Sequence, residues 1–221
     1  MTITLHHLER SRSHRILWLL EELGLDYELK VYQRDPKTMR ADPALRELHP
    51  LGKSPQLEVD GRIMAESGAV VEALLDLGDG ALRPGADDLQ QHRFWLHFAE
   101  GSVMPPLLVG LISSQVKNAP VPFFLKPIVR KIGATIDGNY TNAELKRNFR
   151  FIDDHLQGRE FFVGDALSGA DIMMCYPLVA GAERAGLSAE SHPNLFGWLD
   201  RMKARPAYQR AIDKGGPVEI G

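Results

Sequence analysis

The feature that most constrains the fold is a change of hydrophobic pattern at Arg83, Pro84 and Gly85. Before this point, short apolar runs with strand character are separated by helical runs and turn residues. Beyond it, stretches such as 89–108 and 142–156 repeat apolar residues at helical spacing, and strand signals disappear. We therefore expect an α/β domain over residues 1–80, followed by an all-α domain over residues 86–221.

The pattern of the first domain predicts a small mixed sheet covered by helices. The predicted strands are 3–8, 27–32, 56–59 and 62–65, and the predicted helices are 16–23, 43–48 and 67–77. Asp60 and Gly61 form the turn of a hairpin, because Asp-Gly accepts the positive φ angles that a tight two-residue turn requires. The order βαβ-ββα is typical of thioredoxin-like domains.

Five prolines interrupt the helical half of the chain, namely Pro105, Pro106, Pro120, Pro122 and Pro127. Proline removes a backbone donor and clashes with the preceding helical turn. We therefore expect the helices around these positions to be kinked or separated by a loop.

Composition limits the partners of this chain. The formal net charge is -3 and no long basic run occurs, so we expect neither nucleic acid nor an anionic membrane as a partner. The single cysteine cannot form an internal disulfide, and the metal patterns C-x-x-C and H-E-x-x-H are absent. The N-terminus lacks signal-peptide features, and no apolar stretch reaches the roughly 20 residues that span a bilayer. These observations predict a cytoplasmic protein without a metal.

Four sequence blocks resemble the cytosolic glutathione S-transferases. They are residues 11–24 (SRSHRILWLLEELG), 49–57 (HPLGKSPQL), 66–70 (ESGAV) and 164–171 (GDALSGAD). Residues 95–101 and 205–210 are also similar to a bacterial and fungal branch of that family. The resemblance implies a thioredoxin-like domain that binds glutathione as co-substrate and a helical domain that binds a small electrophile. It also implies a homodimer in which the first domain of one chain meets the second domain of the other.

The turn before the first helix is the candidate thiolate site. A free thiol has a pKa near 8.5, so activation requires groups that stabilise negative sulfur. A hydroxyl at a helix N-terminus suits this task, and Arg10, Arg12 and Arg15 add positive charge. Resemblance to serine-type members favours Ser11 as the donor, with Ser13 as the alternative. The serines could also simply cap the helix, with another donor acting on sulfur.

The loop before the third strand is the candidate peptide-binding edge. Pro55 resembles the family's cis-proline, whose preceding residue, here Ser54, pairs its backbone with the cysteinyl unit of glutathione. Pro55 could instead be an ordinary trans-proline that begins a strand. Lys53 could neutralise the glycine carboxylate of glutathione, although an exposed lysine is more often only a solvated charge.

Glu66 and Ser67 lie where a strand passes into a helix. The hydroxyl and free amides of Ser67 are suited to the γ-glutamyl carboxylate, and Glu66 to the adjacent amine. Ser67 could also cap its own helix without a ligand.

Two further features have structural interpretations. Ser168 and Asp171 have the S-x-x-D spacing of a capping box before an apolar run. Cys175 lies inside that run, which indicates a packed core residue and not a nucleophile.

The leading functional hypothesis is conjugation of glutathione to small apolar electrophiles. A second hypothesis uses the same thiolate to reduce peroxides or disulfides, and a third is a non-catalytic binding module of the same fold. A serine hydrolase is disfavoured because G-x-S-x-G is missing.

Overall fold

The computed structural model describes residues 1–218, without the side chains of residues 180 and 183. The first domain contains strands β1 Ile3–Leu8, β2 Glu28–Tyr32, β3 Gln56–Val59 and β4 Arg62–Ala65, and helices α1 Ser13–Leu23, α2 Leu45–Leu48 and α3 Ser67–Leu77. The predicted βαβ-ββα order is confirmed. Residues 219–221 of the expected second domain lie outside the described residues.

The four strands form one sheet in the order β2-β1-β3-β4. β1 pairs in parallel with β2 and antiparallel with β3, and β3 pairs antiparallel with β4. The β3–β4 hairpin turns at Asp60 and Gly61, whose φ angles are 47° and 80°. Both angles are positive, as the Asp-Gly turn predicts. The sheet is therefore the mixed sheet expected from the sequence, with β1 at its centre and buried along its whole length.

The described part of the second domain contains helices, joined by loops, and no strand. Its helices are α4 Leu89–Phe98, α5 Met104–Lys117, α6 Lys126–Ile136, α7 Asn142–His155, α8 Gly169–Arg184, α9 Pro193–Lys203 and α10 Pro206–Gly215. The helix expected over 89–108 is interrupted by a π-helical turn, Ala99–Val103, before Pro105 and Pro106 begin α5. Proline in a first helical turn lacks only a donor that would be unpaired anyway. Pro120 and Pro122 lie in the loop that separates α5 from α6.

The helical run over residues 86–117 bears on the expectation that no stretch of this chain spans a bilayer. It contains an 18-residue window that is apolar enough to cross a membrane by length and composition. The same run supplies Trp95, Leu96 and Leu107 to the buried core. A core helix of a soluble protein passes the same test, so this property is weak support for a membrane span.

Helix α1 joins the two domains. Its Trp18 is fully buried against Tyr208 of α10, with ring centroids 5.4 Å apart. Glu22 of α1 pairs with Arg205 at 2.6 Å, and Glu21 pairs with Arg210 at 2.7 Å. The apolar contact and the two ion pairs hold the end of the chain against the first domain.

The predicted capping box at the start of α8 is confirmed. The Ser168 hydroxyl accepts a hydrogen bond from the Ala170 amide, and Asp171 accepts one from the Ser168 amide at 3.0 Å. Asp171 also accepts from the Phe162 amide at 3.0 Å and from the Trp198 indole at 3.1 Å. Burial raises the pKa of Asp171 to about 6, while these donors favour its carboxylate. Asp171 thus joins the segment before α8 to α9, beyond its role as a cap.

We expect Asp171→Ala to cost more stability than Ser168→Ala. Loss of the Ser168 cap should lower the free energy of unfolding by about 1 kcal/mol. Loss of Asp171 leaves two buried amides and an indole donor unpaired, so the expected cost is about 3 kcal/mol. Urea unfolding measures both. Thr135→Ala is the matched control, because that exposed hydroxyl only donates to the Lys131 carbonyl. An Asp171→Ala protein as stable as this control would contradict the role given to the carboxylate.

Candidate active site

Three chain segments meet at one edge of the sheet. The register pairs His6 of β1 with Gln56 of β3, and Gln56 with Ala65 of β4. Because both pairings are antiparallel, the end of β1, the residues before β3 and the residues after β4 all lie at this edge. The candidate residues from three separate blocks are therefore neighbours.

The hydroxyl of Ser13 is engaged inside the protein. His7 makes a 2.9 Å hydrogen bond from Nε2 to the Gly215 carbonyl, so that nitrogen carries the proton and Nδ1 is an acceptor. Ser13 Oγ donates to His7 Nδ1 at 2.9 Å and accepts from the Leu8 amide at 3.2 Å. Burial lowers the pKa of His7, which is consistent with a neutral ring at neutral pH. Ser13 is fully buried and does not cap α1, contrary to the capping interpretation.

Gly215 allows this arrangement by its small size. A Cβ atom at this position would lie 2.6 Å from Leu17 Cδ2 and 3.0 Å from His7 Nε2. The carbonyl that orients His7 can therefore approach only because residue 215 has no side chain.

Ser11 lies closer to the loop before β3. Its Oγ donates to the Leu8 carbonyl at 2.8 Å and accepts from the Ser13 amide at 3.2 Å. The same Oγ lies 2.8 Å from Ser13 Oγ and 3.2 Å from Ser54 Oγ. Ser11 retains 6% exposure, whereas Ser13 has none. Of the two candidate hydroxyls, only that of Ser11 contacts the peptide-binding loop.

The arginines of the turn differ from the expectation. Arg15 has a fully buried side chain that donates to Glu100 at 2.8 Å and to the Met173 carbonyl at 3.1 Å. Arg12 donates to the same Glu100 carboxylate at 3.0 Å. Arg15 is thus a buried link between α1 and the helical domain, and not a free positive charge beside the turn. Glu100 was missed by the sequence analysis, because nothing in the sequence relates it to arginines 85 and 88 positions away.

The Ser54-Pro55 peptide bond is cis, the configuration implied by the resemblance. Ser54 is half-buried and Lys53 is exposed. Gln56 Nε2 donates to the carbonyls of Lys53 and Leu45, both at 2.9 Å, which fixes the loop against α2. The backbone before β3 is therefore held in place without any side-chain bond from Lys53.

Glu66 and Ser67 lie at the N-terminus of α3. Glu66 precedes the helix with φ 72° and ψ 118°, and its side chain is exposed. A positive φ is uncommon for a residue other than glycine and is often found at functional sites. Ser67 is only 4% exposed, and within residues 1–218 its hydroxyl has no hydrogen-bond partner. Ser67 does not cap the helix, and its hydroxyl remains available to a ligand.

No group of three or more His, Cys, Asp or Glu side chains in the described part of the chain could hold a metal ion. Cys175 is buried, as predicted, and burial raises the pKa of its thiol to about 12. A thiol with this pKa is not a nucleophile at neutral pH.

A cavity of about 860 Å³ lies elsewhere. It is enclosed by α5, the start of α7 and the end of α8, with Leu107, Leu145 and Phe149 among its apolar walls. It contains none of the candidate residues at the sheet edge, so we do not assign it to the same site.

The fold agrees with the comparisons to known proteins. The family model described as the glutathione S-transferase N-terminal domain matches residues 11–77, and the one described as the C-terminal domain matches residues 135–206. Both halves of the chain thus correspond to one class of two-domain protein.

Relatives match nearly the whole chain. Glutathione S-transferase 1 of Saccharomyces cerevisiae is 36% identical, with 96% of this chain and 94% of that protein covered. Glutathione S-transferase 3 of Schizosaccharomyces pombe is 39% identical, with 96% and 87% covered. A crystal structure of a glutathione S-transferase from Actinobacillus pleuropneumoniae is 32% identical, with a TM-score of 0.79 and coverage of 99% and 95%. The chain belongs to the glutathione S-transferase family.

Proposed function

We propose that this protein binds glutathione along the sheet edge, stabilises its thiolate, and conjugates it to small apolar electrophiles. The observation that supports this most is the set of polar groups without partners around that edge. Within residues 1–218, the side chains of Lys53, Glu66 and Ser67 make no hydrogen bond or ion pair, and Ser54 presents its backbone beside them. Ser67 is 4% exposed, yet its hydroxyl oxygen is not among the unpaired atoms that solvent cannot reach. An unpaired hydroxyl that is open to solvent in a mostly buried residue is available to a ligand.

The tripeptide matches these groups in order. The free amides of α3 and the Ser67 hydroxyl would bind the γ-glutamyl carboxylate, because a helix N-terminus attracts anions. Glu66 would face the amine, and Ser54 would pair its backbone with the cysteinyl unit beside Pro55. Lys53 would neutralise the glycine carboxylate.

Ser11 is the proposed donor to sulfur. Its contact with Ser54 Oγ at 3.2 Å would bring its hydroxyl beside a cysteinyl unit that pairs with the Ser54 backbone. Both hydroxyls donate inside the protein, Ser11 to the Leu8 carbonyl and Ser13 to His7. Ser13 has no exposure, so it would act by fixing the turn, whereas the partly exposed Ser11 would turn its proton to sulfur. Ser11 would thereby lower the free energy of the thiolate relative to the thiol.

Conjugation requires no protein thiol. The bound thiolate attacks the electrophile directly, and holding both reactants together lowers the barrier further. Disulfide exchange through the protein itself is not supported, because the only thiol of the chain, Cys175, is buried with a raised pKa. We also propose that the protein is cytoplasmic and that conjugation serves detoxification, as the family resemblance implies.

We also propose a homodimer. Large apolar side chains are exposed on both domains, including Leu51 at 50%, Phe94 at 43% and Phe151 at 44%. Such side chains favour an interface when they form a patch. Light scattering at micromolar concentration should report about twice the 24.7 kDa chain mass. A monomer over the whole micromolar range would exclude this assembly.

The function is tested first by binding. The protein should be retained on immobilised glutathione and should conjugate glutathione to a halonitroarene.

Ser67→Ala and Glu66→Ala should each weaken glutathione affinity about tenfold, which corresponds to one lost charge-assisted contact. The chemical step should change less, because these contacts are far from sulfur and similar in ground and transition states. Calorimetry measures the affinity, with Thr135→Ala as control. Unchanged glutathione affinity in both variants would contradict the proposed orientation of the tripeptide.

The thiolate titration of bound glutathione should distinguish the roles of Ser11 and Ser13. Ser11→Ala should raise the pKa of the bound thiol by about one unit, or about 1.4 kcal/mol, with binding retained. Activity should then fall at neutral pH and partly recover as pH rises. Ser13→Ala leaves His7 Nδ1 unpaired and leaves the Leu8 amide with only the 3.4 Å contact to Ser54 Oγ, so it should lower stability by about 1–3 kcal/mol. Its titration should stay nearly normal. The measurement is the thiolate absorbance of bound glutathione as a function of pH. A shifted pKa of the bound thiol in Ser13→Ala, with an unshifted one in Ser11→Ala, would assign the donor role to Ser13.

A further inference from the structure

Arg12 follows the proposed thiolate donor in the chain, and its guanidinium lies at the boundary of the two domains. Its Nε donates to both carboxylate oxygens of Glu100, at 3.2 and 3.0 Å. Glu100 belongs to the helical domain, in the π-helical turn Ala99–Val103. The guanidinium therefore extends from the turn that carries Ser11 toward the domain expected to bind the second substrate.

The two terminal nitrogens of Arg12, Nη1 and Nη2, are not used inside the described part of the chain. Its only hydrogen bonds there are those of Nε, and neither terminal nitrogen is among the unpaired side-chain atoms that solvent cannot reach. The Arg12 side chain retains 31% exposure. Arginine binds carboxylates through a fork of two parallel N–H donors. Because Nε alone holds Glu100, the fork of Nη1 and Nη2 is open to a ligand.

The charge around Arg12 is positive. Arg12 and Arg15 share the single carboxylate of Glu100. Arg34 is half-buried, and within the described residues its guanidinium donates to three backbone carbonyls and to no carboxylate. Burial lowers the pKa of Arg34, and repulsion from Arg12 acts in the same direction, so the two guanidinium groups are within electrostatic reach of each other. This positive excess is local, since the whole chain has a net charge of -3.

We propose that Nη1 and Nη2 of Arg12 bind a carboxylate of the second substrate. This rests on the proposed glutathione site, which places the sulfur beside Ser11. The inference narrows the proposed electrophiles to molecules with an apolar body and one carboxylate, such as aryl halides and enones that carry an acid group. A neutral analogue leaves the fork of Arg12 without a partner.

The carboxylates of glutathione itself have other partners in the proposed site. The γ-glutamyl carboxylate is assigned to Ser67 at the start of α3, and the glycine carboxylate to Lys53 in the loop before β3. Arg12 contacts neither segment through a hydrogen bond in the described part of the chain, and it reaches the helical domain instead. An anionic group at Arg12 is therefore best supplied by the second substrate.

The carboxylate takes no part in bond making. With 4-chloro-3-nitrobenzoate, the thiolate forms a C–S bond at the carbon that bears chlorine, and charge passes to the nitro group. Chloride then leaves with the electron pair of the C–Cl bond, while the carboxylate on the opposite side of the ring keeps its charge. Arg12 thus holds the ring in the ground state and in the transition state alike, so its effect should appear mainly in KM.

The test compares 4-chloro-3-nitrobenzoate with its neutral analogue 4-chloro-3-nitrobenzamide in wild type and in Arg12→Gln. The ratio of kcat/KM for the acid to kcat/KM for the amide should fall at least about tenfold in the variant, because two charge-assisted hydrogen bonds are lost. Any change in the thiolate population cancels in this ratio, since both substrates react with the same bound thiolate. A smaller fall would overturn the inference and leave the conjugation function intact, because the amide would still be turned over.

Arg150→Gln is the matched control. The Nε of Arg150 also donates to both oxygens of a carboxylate, that of Asp154, at 3.0 and 3.1 Å, but on the exposed surface of α7. Its ratio should equal that of wild type, and an equal fall in both variants would overturn the inference. Arg12→Lys serves as a second variant that keeps a positive charge beside Glu100. The ratio should fall there too, because an ammonium group lacks the planar fork, and an unchanged ratio would overturn the role of the fork.

A second measurement does not depend on turnover. Calorimetry should show that Arg12→Gln weakens binding of S-(4-carboxy-2-nitrophenyl)glutathione at least about tenfold relative to S-(4-carbamoyl-2-nitrophenyl)glutathione. Equal losses for both conjugates and for glutathione would assign Arg12 to the tripeptide and overturn the inference. A wild-type protein that binds neither conjugate nor glutathione would overturn the glutathione site itself, and this inference with it.

Discussion

The buried guanidinium of Arg15 is the constraint on which the relation between the two domains depends. Its side chain has no exposure, and an unpaired charge in that position would cost several kcal/mol. Glu100 supplies the opposite charge, and the carbonyl of Met173 takes a further donor. Helix α1 can therefore pack only where both partners are reached, and this fixes the turn before α1, with Ser11, against the helical domain.

Glu100 reaches Arg15 from an irregular part of its helix. It lies in the π-helical turn Ala99–Val103 between α4 and α5, where the helical repeat is locally widened. Such a turn rotates the faces of the helix on either side of it, and π turns are frequent at functional sites. It lets α4 keep Trp95 in the core while a charged residue one turn later faces the domain boundary. The sheet edge and the helical domain are therefore related through one carboxylate that two arginines share.

The fold was predictable where the signal is local. The hairpin at Asp60 and Gly61, the helix from Ser67 and the capping box of Ser168 each depend on residues a few positions apart, and the structure has them as predicted. The roles of Ser13 and Arg15 were not predictable, because they depend on distant partners. Ser13 is oriented by His7, which is itself held by a carbonyl 208 positions away. The sequence indicates that the turn is polar, but not which of its polar groups are already engaged inside the fold.

The proposed mechanism follows from which polar groups of the turn and the sheet edge already have hydrogen-bond partners inside the protein and which do not. Ser13, His7 and Arg15 have their donors directed into the protein, so they fix the geometry and leave little for a ligand. The hydroxyl of Ser67 is left over from this network. The hydroxyl of Ser11 donates to the Leu8 carbonyl, and it would turn from that carbonyl to the sulfur of bound glutathione. The buried ion pair of Arg15 with Glu100 would hold the turn in place while this single donor changes its acceptor.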